Sequence, residues 1–155
     1  MDDSIQERYV FYRMVTGDLD EAYRSLKITR RYRKADVIIA LVRDAIVAYA
    51  RPFSCNKGKF AKKLSLSKKD VPKSLQDFHE KVIDFRNQVF AHSDIPFRGP
   101  RLGRLQLDSG YIYPISLKGL YYEELVSYIE PLKQLILEVH GSVVEKIKRI
   151  ENEYF

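Results

Sequence analysis

Residues 31–50, RYRKADVIIALVRDAIVAYA, decide the architecture. On an α-helix built from this stretch, Val37, Ile38, Ile39, Leu41, Val42, Ile46 and Val47 cover most of the circumference. A helix apolar nearly all round must be enclosed by other elements, so it is expected at the centre of the fold. Pro52 ends it, because a proline pushes the residue before it out of the helical region. Toward the N-terminus, Ser4 to Met14 read as a short amphipathic helix. Thr16-Gly17-Asp18 then break the chain, and Thr16 or Asp18 caps a new start running through Glu21 to Leu26. In the other direction, residues 53–70 are lysine-rich, with Asn56 and Gly58 as breakers. They are expected to form an exposed loop with a helical turn around Phe60 to Leu64.

Pro72 suits the first turn of a helix over about Lys73 to Ala91. Pro96, Gly99, Pro100 and Gly103 follow, and then the alternation from Leu105 to Tyr113, turning at Asp108-Ser109-Gly110, predicts a β-hairpin within 101–116. Leu125, Ile129, Leu132, Ile136, Val139, Val143, Ile147 and Ile150 recur at steps of three and four. They predict one long helix from about Leu120 to Glu151, kinked at Pro131. The expectation is an all-α bundle of four main helices, with the hairpin inserted before the last, in one domain spanning residues 1–155.

Composition narrows the function classes. One cysteine, Cys55, excludes an internal disulfide, and three histidines far apart in sequence argue against a zinc site. Neither a metal nor a cofactor is expected. The acidic N-terminus has no apolar run behind it, and no segment approaches the roughly 18 apolar residues of a membrane span. A cytoplasmic protein with no membrane association is the expectation. The net charge of +6 favours an anionic partner. Its excess falls in two clusters, one containing Arg30 and Arg31, the other Lys57, Lys59, Lys62 and Lys63. These are either solvated surface or an RNA-facing rim.

The candidate chemistry lies at the end of the 73–91 helix, in Arg86-Asn87-Gln88-Val89-Phe90-Ala91-His92-Ser93-Asp94. At about 100° per residue, Leu75, Phe78, Val82, Ile83, Phe85, Val89 and Phe90 share one arc, and Arg86 lies inside it. An arginine facing that way needs a carboxylate, an anion or a subunit interface. Asp44 on the central helix is one such carboxylate. His79 falls in the same arc, as a satisfied core histidine or a supporting group. His92 sits near the arc's edge, where the helix ends. On a straight helix a six-residue step does not bring Arg86 and His92 together. They converge if the helix end bends, or if a second copy contributes across a two-fold axis.

The arginine, the polar residue after it, the short spacer and the histidine resemble the motif of the HEPN superfamily (higher eukaryotes and prokaryotes nucleotide-binding domain). The Ala91-His92-Ser93-Asp94 ending resembles its abortive-infection and toxin branch. The resemblance implies a helical bundle that dimerises, uniting two Arg86/His92 pairs in one cleft as a metal-independent endoribonuclease. It implies Arg86 and His92 as the catalytic pair; the chemistry of the residues themselves adds Asn87, Asp94, Asp44 and His79 as supporting candidates. Partners implied are RNA, a second copy, and an antitoxin or nucleotidyltransferase. Relatives paired with a nucleotidyltransferase often have a tyrosine two residues after the histidine, where this chain has Asp94. The competing functions are a non-catalytic nucleotide- or RNA-binding module of the same fold, and a helical adaptor acting through protein contacts.

Overall fold

The computed structural model describes residues 2–61, 63–87, 99–116 and 122–154. The apolar stretch forms helix α2 (Ala35–Ala50), where Val42, Ala45, Ile46 and Tyr49 are wholly buried. Val37, Ile39, Leu41 and Val47 are half-buried. It begins four residues later than the pattern suggested, because Thr29–Arg31 take a 3₁₀ turn and Lys34 is extended at the N-cap.

The N-terminal region differs more from its expectation. Helix α1 (Asp3–Ile28) is continuous through Thr16-Gly17-Asp18. The Thr16 hydroxyl donates back to the Arg13 carbonyl at 2.7 Å and caps nothing. A mid-helix glycine costs only about 1 kcal/mol. Val15, Leu19, Ala22 and Leu26, buried along one stripe across that point, outweigh it.

Helix α3 (Gln76–Phe85) follows a 3₁₀ turn at Lys73–Leu75. The rest of the expected 73–91 helix passes, after Asn87, outside the described residues. The long C-terminal helix is two helices, α4 (Tyr122–Ser127) and α5 (Ile129–Tyr154). Pro131 lies in the first turn of α5, where its missing N–H removes no helical bond, so it starts a helix instead of kinking one. Helix α2 packs against α1, α3 and α4, and α1 packs along α5. Leu19, Leu26, Val42, Ile46, Val82, Leu125, Leu132 and Val139 belong to one core that joins all five helices.

The hairpin is present and lies before the last helices. Strands β1 (Arg101–Leu102) and β4 (Ile115–Ser116) pair antiparallel, as do β2 (Leu105–Leu107) and β3 (Gly110–Ile112). The two pairings share one register, joined by Gly103 N–H donating to the Pro114 carbonyl at 2.8 Å. A single two-stranded ribbon therefore spans 101–116. Gly110, at φ +134°, closes the turn in a region where side chains are rarely found.

Residues 54–67 are not a free loop. Asn56 and Leu64 pair across it, Gly58 N–H donates to the Ala61 carbonyl at 3.1 Å, and Ala61 and Leu66 are buried. No helical turn occupies the described part of 60–64. Glu7 of α1 pins the loop instead, accepting from the backbone N–H groups of Lys59 (2.6 Å), Phe60 (2.9 Å) and Ala61 (2.7 Å). These bonds, the Ala61 one foremost, hold the Glu7 carboxyl below its ordinary pKa. Gly58 is needed there, since a Cβ would run into the Glu7 carboxylate.

Candidate functional site

The motif is positioned by α3. The Gln76 side chain ties the helix start to the preceding turn, donating to the carbonyls of Lys68 and Val71, each at 3.1 Å. His79, Val82 and Phe85 face the core, and the rings of Phe78 and Phe85 lie 5.5 and 5.8 Å from Tyr128. Beyond Phe85 the helix widens into a π-type turn at Arg86 and Asn87. Such turns rotate the residues that follow and recur at functional sites.

Arg86, expected inside the apolar arc, is half-buried, and the Asn87 that its side chain meets is exposed. Its Nη1 donates to the Asn87 Oδ1 at 2.9 Å. Among the described residues no carboxylate forms an ion pair with it. Asp44 is engaged elsewhere, accepting from the Ser25 hydroxyl at 2.6 Å and so joining α2 to α1. A guanidinium carries five N–H donors, and a single neutral amide leaves most of them for water or an anion. His92, Asp94 and Lys62 lie outside the described residues, as does the approach of Arg86 to His92.

His79, two turns before Arg86, is enclosed. It is 6% exposed, with the rings of Phe53 and Tyr49 at 4.5 and 5.8 Å. The Tyr49 hydroxyl lies 2.7 Å from Nδ1. Burial raises the Tyr49 pKa, so its O–H stays on and donates, leaving Nδ1 as acceptor on a neutral ring. Burial likewise lowers the His79 pKa. The residue acts on the site by holding α3 against α2.

The basic residues form two exposed groups. Arg30 and Arg31 lie on the turn after α1, and Lys57, Lys59 and Lys63 on the loop that Glu7 pins. Lys59 sits over the Phe60 ring at 5.2 Å. Lys68, further along the same cluster, is paired with Glu80.

One feature has no counterpart in the sequence pattern. Between the N-terminal half of α1 and the pinned loop lies a cavity of about 750 Å³, with Val10, Phe11, Met14, Pro52, Phe60 and Leu64 in its walls. Asp3, Asp18, Arg51 and Lys57 stand around it. Arg51 bonds to Glu21 at 2.8 Å and Asp18 at 3.0 Å, which together raise its pKa and fasten the end of α2 to α1. A contact between Glu7 and a loop some fifty residues on leaves no periodic trace in the sequence.

Among the described residues no cluster of histidine, cysteine or carboxylate side chains could hold a metal ion, and no helix is long and apolar enough to cross a membrane. No family model, curated protein or solved structure matches the chain.

Proposed function

We propose that the chain is a metal-independent endoribonuclease of HEPN type, acting as a toxin or anti-phage effector, with Arg86 and His92 from two copies composed in one homodimer cleft. The observation that carries this reading is Arg86 itself: half-buried at the widened end of α3, with a neutral amide as its side-chain partner among the described residues. A guanidinium with no carboxylate partner among the described residues is suited to a phosphate, which it would grip with paired N–H donors.

The chemistry needs little else. RNA carries its own nucleophile, the 2′-hydroxyl, whose oxygen attacks the adjacent phosphorus while the bond to the 5′-oxygen breaks. One His92 takes the 2′-hydroxyl proton and the His92 of the second copy protonates the departing 5′-oxygen, each contribution typically worth ~10²–10⁴-fold. Arg86 stabilises the charge that builds on the phosphoryl oxygens. Asn87 orients the Arg86 fork, and the exposed lysines and arginines draw in the RNA backbone. An antitoxin or nucleotidyltransferase would act by covering this cleft.

The test is cleavage of RNA by the purified protein in EDTA, with His92→Ala beside it and the products examined for 2′,3′-cyclic phosphate ends. Cleavage by the wild type alone is expected. Equal rates for the two proteins would end the ribonuclease reading.

A further inference from the structure

We infer that the β-hairpin of one copy seats in the cavity between α1 and the 54–67 loop of a second copy, reciprocally, so that the protein dimerises by exchanging arms. The distribution of exposed apolar side chains leads there. Fourteen large hydrophobic residues are exposed among the described residues, and seven of them lie between Leu102 and Ile115. Three more, Val10, Met14 and Phe60, line the cavity. The arm and the cavity thus hold ten of the fourteen large apolar side chains exposed among the described residues.

The arm cannot remain as it stands. A two-stranded hairpin is marginal in water without a face packed on something else. This one is apolar on both faces: Leu105, Leu107, Ile112 and Pro114 on one, Leu102, Tyr111, Tyr113 and Ile115 on the other. Every described residue of the ribbon is exposed within its own chain, so its own bundle does not cover it. At about 200 Å² for a large side chain, the seven exposures amount to roughly 700 Å² per arm. A stable interface takes about 800 Å² from each partner.

Charge favours a second copy as the occupant. The arm carries Arg101 and Arg104 against Asp108, and Arg104 is laid over the Tyr111 ring at 3.7 Å. Arg101 pairs with no carboxylate among the described residues, and Asp3 at the cavity mouth pairs with no cation. An arm with one cation in excess, Arg101 and Arg104 against Asp108, meets a cavity whose lining has one anion in excess, Asp3, Glu7 and Asp18 against Arg51 and Lys57. Exchange across a two-fold axis satisfies both twice and closes the assembly. Arm exchange requires nothing of the ribonuclease reading.

Three proteins test it by sedimentation velocity: the wild type, an arm variant Leu105→Asp/Ile112→Asp, and a cavity variant Met14→Asp. All three positions are exposed in the single chain, and circular dichroism would establish that each variant keeps its helices. The wild type is expected to be a dimer, and each variant alone to dissociate with a Kd raised at least about 100-fold, since each buries an unpaired carboxylate. Mixing the two variants is expected to restore a heterodimer, because one keeps an intact cavity and the other an intact arm. A wild type that is monomeric at about 100 µM, or that gains mass only with RNA or another protein, would overturn the inference. So would a cavity variant that dimerises as tightly as the wild type, the result for hairpin-on-hairpin pairing. Undiminished dimerisation of both variants with RNA cleavage intact would remove arm exchange and leave the Arg86/His92 reading standing.

Discussion

Replacing Arg86 with alanine separates a catalytic arginine from a structural one. A buried arginine held by a carboxylate costs about 3–5 kcal/mol to remove, because its partner is left charged and unpaired. Arg86 has no such partner among the described residues; it donates to the Asn87 amide at 2.9 Å and is only half-buried. The expected loss is therefore one modest hydrogen bond and some stem packing, about 0.5–1.5 kcal/mol. For a chain of this length that lowers the melting temperature by roughly 2–6 °C. Cleavage should fall much further. Loss of one donor set aimed at transition-state charge typically costs ~10²–10³-fold, or about 2.7–4 kcal/mol of barrier. Arg86→Lys keeps the charge but not the fork and should recover only part of the activity. The assays are urea unfolding followed by circular dichroism, and single-turnover RNA cleavage in EDTA. A stability loss of 3 kcal/mol or more would show that Arg86 serves the fold. Cleavage within about threefold of the wild type would refute its role at the phosphate.

Tyr49→Phe leaves the buried Nδ1 of His79 without its donor and should cost about 1–3 kcal/mol in urea unfolding. His79 has a folded pKa below its ordinary value of 6.5, so its contribution is complete above pH 6.5. That contribution is lost as pH falls through the folded pKa, because the unfolded chain takes the proton first. His79→Leu should flatten this part of the stability profile; an unchanged slope would count against the buried neutral imidazole. Asp70 accepts from Ser67 N–H at 2.7 Å and pairs with Lys146 of α5. Burial pushes its pKa up, but these bonds prevail and leave it lowered, so its contribution is present above pH 3.8 and lost as pH falls through the lowered value. Asp70→Asn should cost about 1–2 kcal/mol at pH 7 and little near pH 2, read from denaturation midpoints. Gly17→Ala should stabilise by about 0.5–1 kcal/mol in thermal unfolding, since an added Cβ meets nothing within 4 Å inside a continuous helix. Destabilisation would mean that α1 is broken there after all.

Periodicity by itself determined much of this protein. The nearly all-apolar run of α2, the three-and-four spacing of α5 and the alternation around Asp108-Ser109-Gly110 each specify an element through side chains a few residues apart, because a helix or hairpin is a local object. Tertiary structure decided what those elements meet. Only burial of Val15, Leu19, Ala22 and Leu26 carries α1 through Gly17, and only the three backbone donors that meet Glu7 turn the lysine-rich loop into a cavity wall. Only the packed core gives Asp44 to Ser25 and His79 to Tyr49, leaving Arg86 without either as a partner. Contacts between residues far apart in the chain leave no period in the sequence, and on such contacts the availability of this arginine depends.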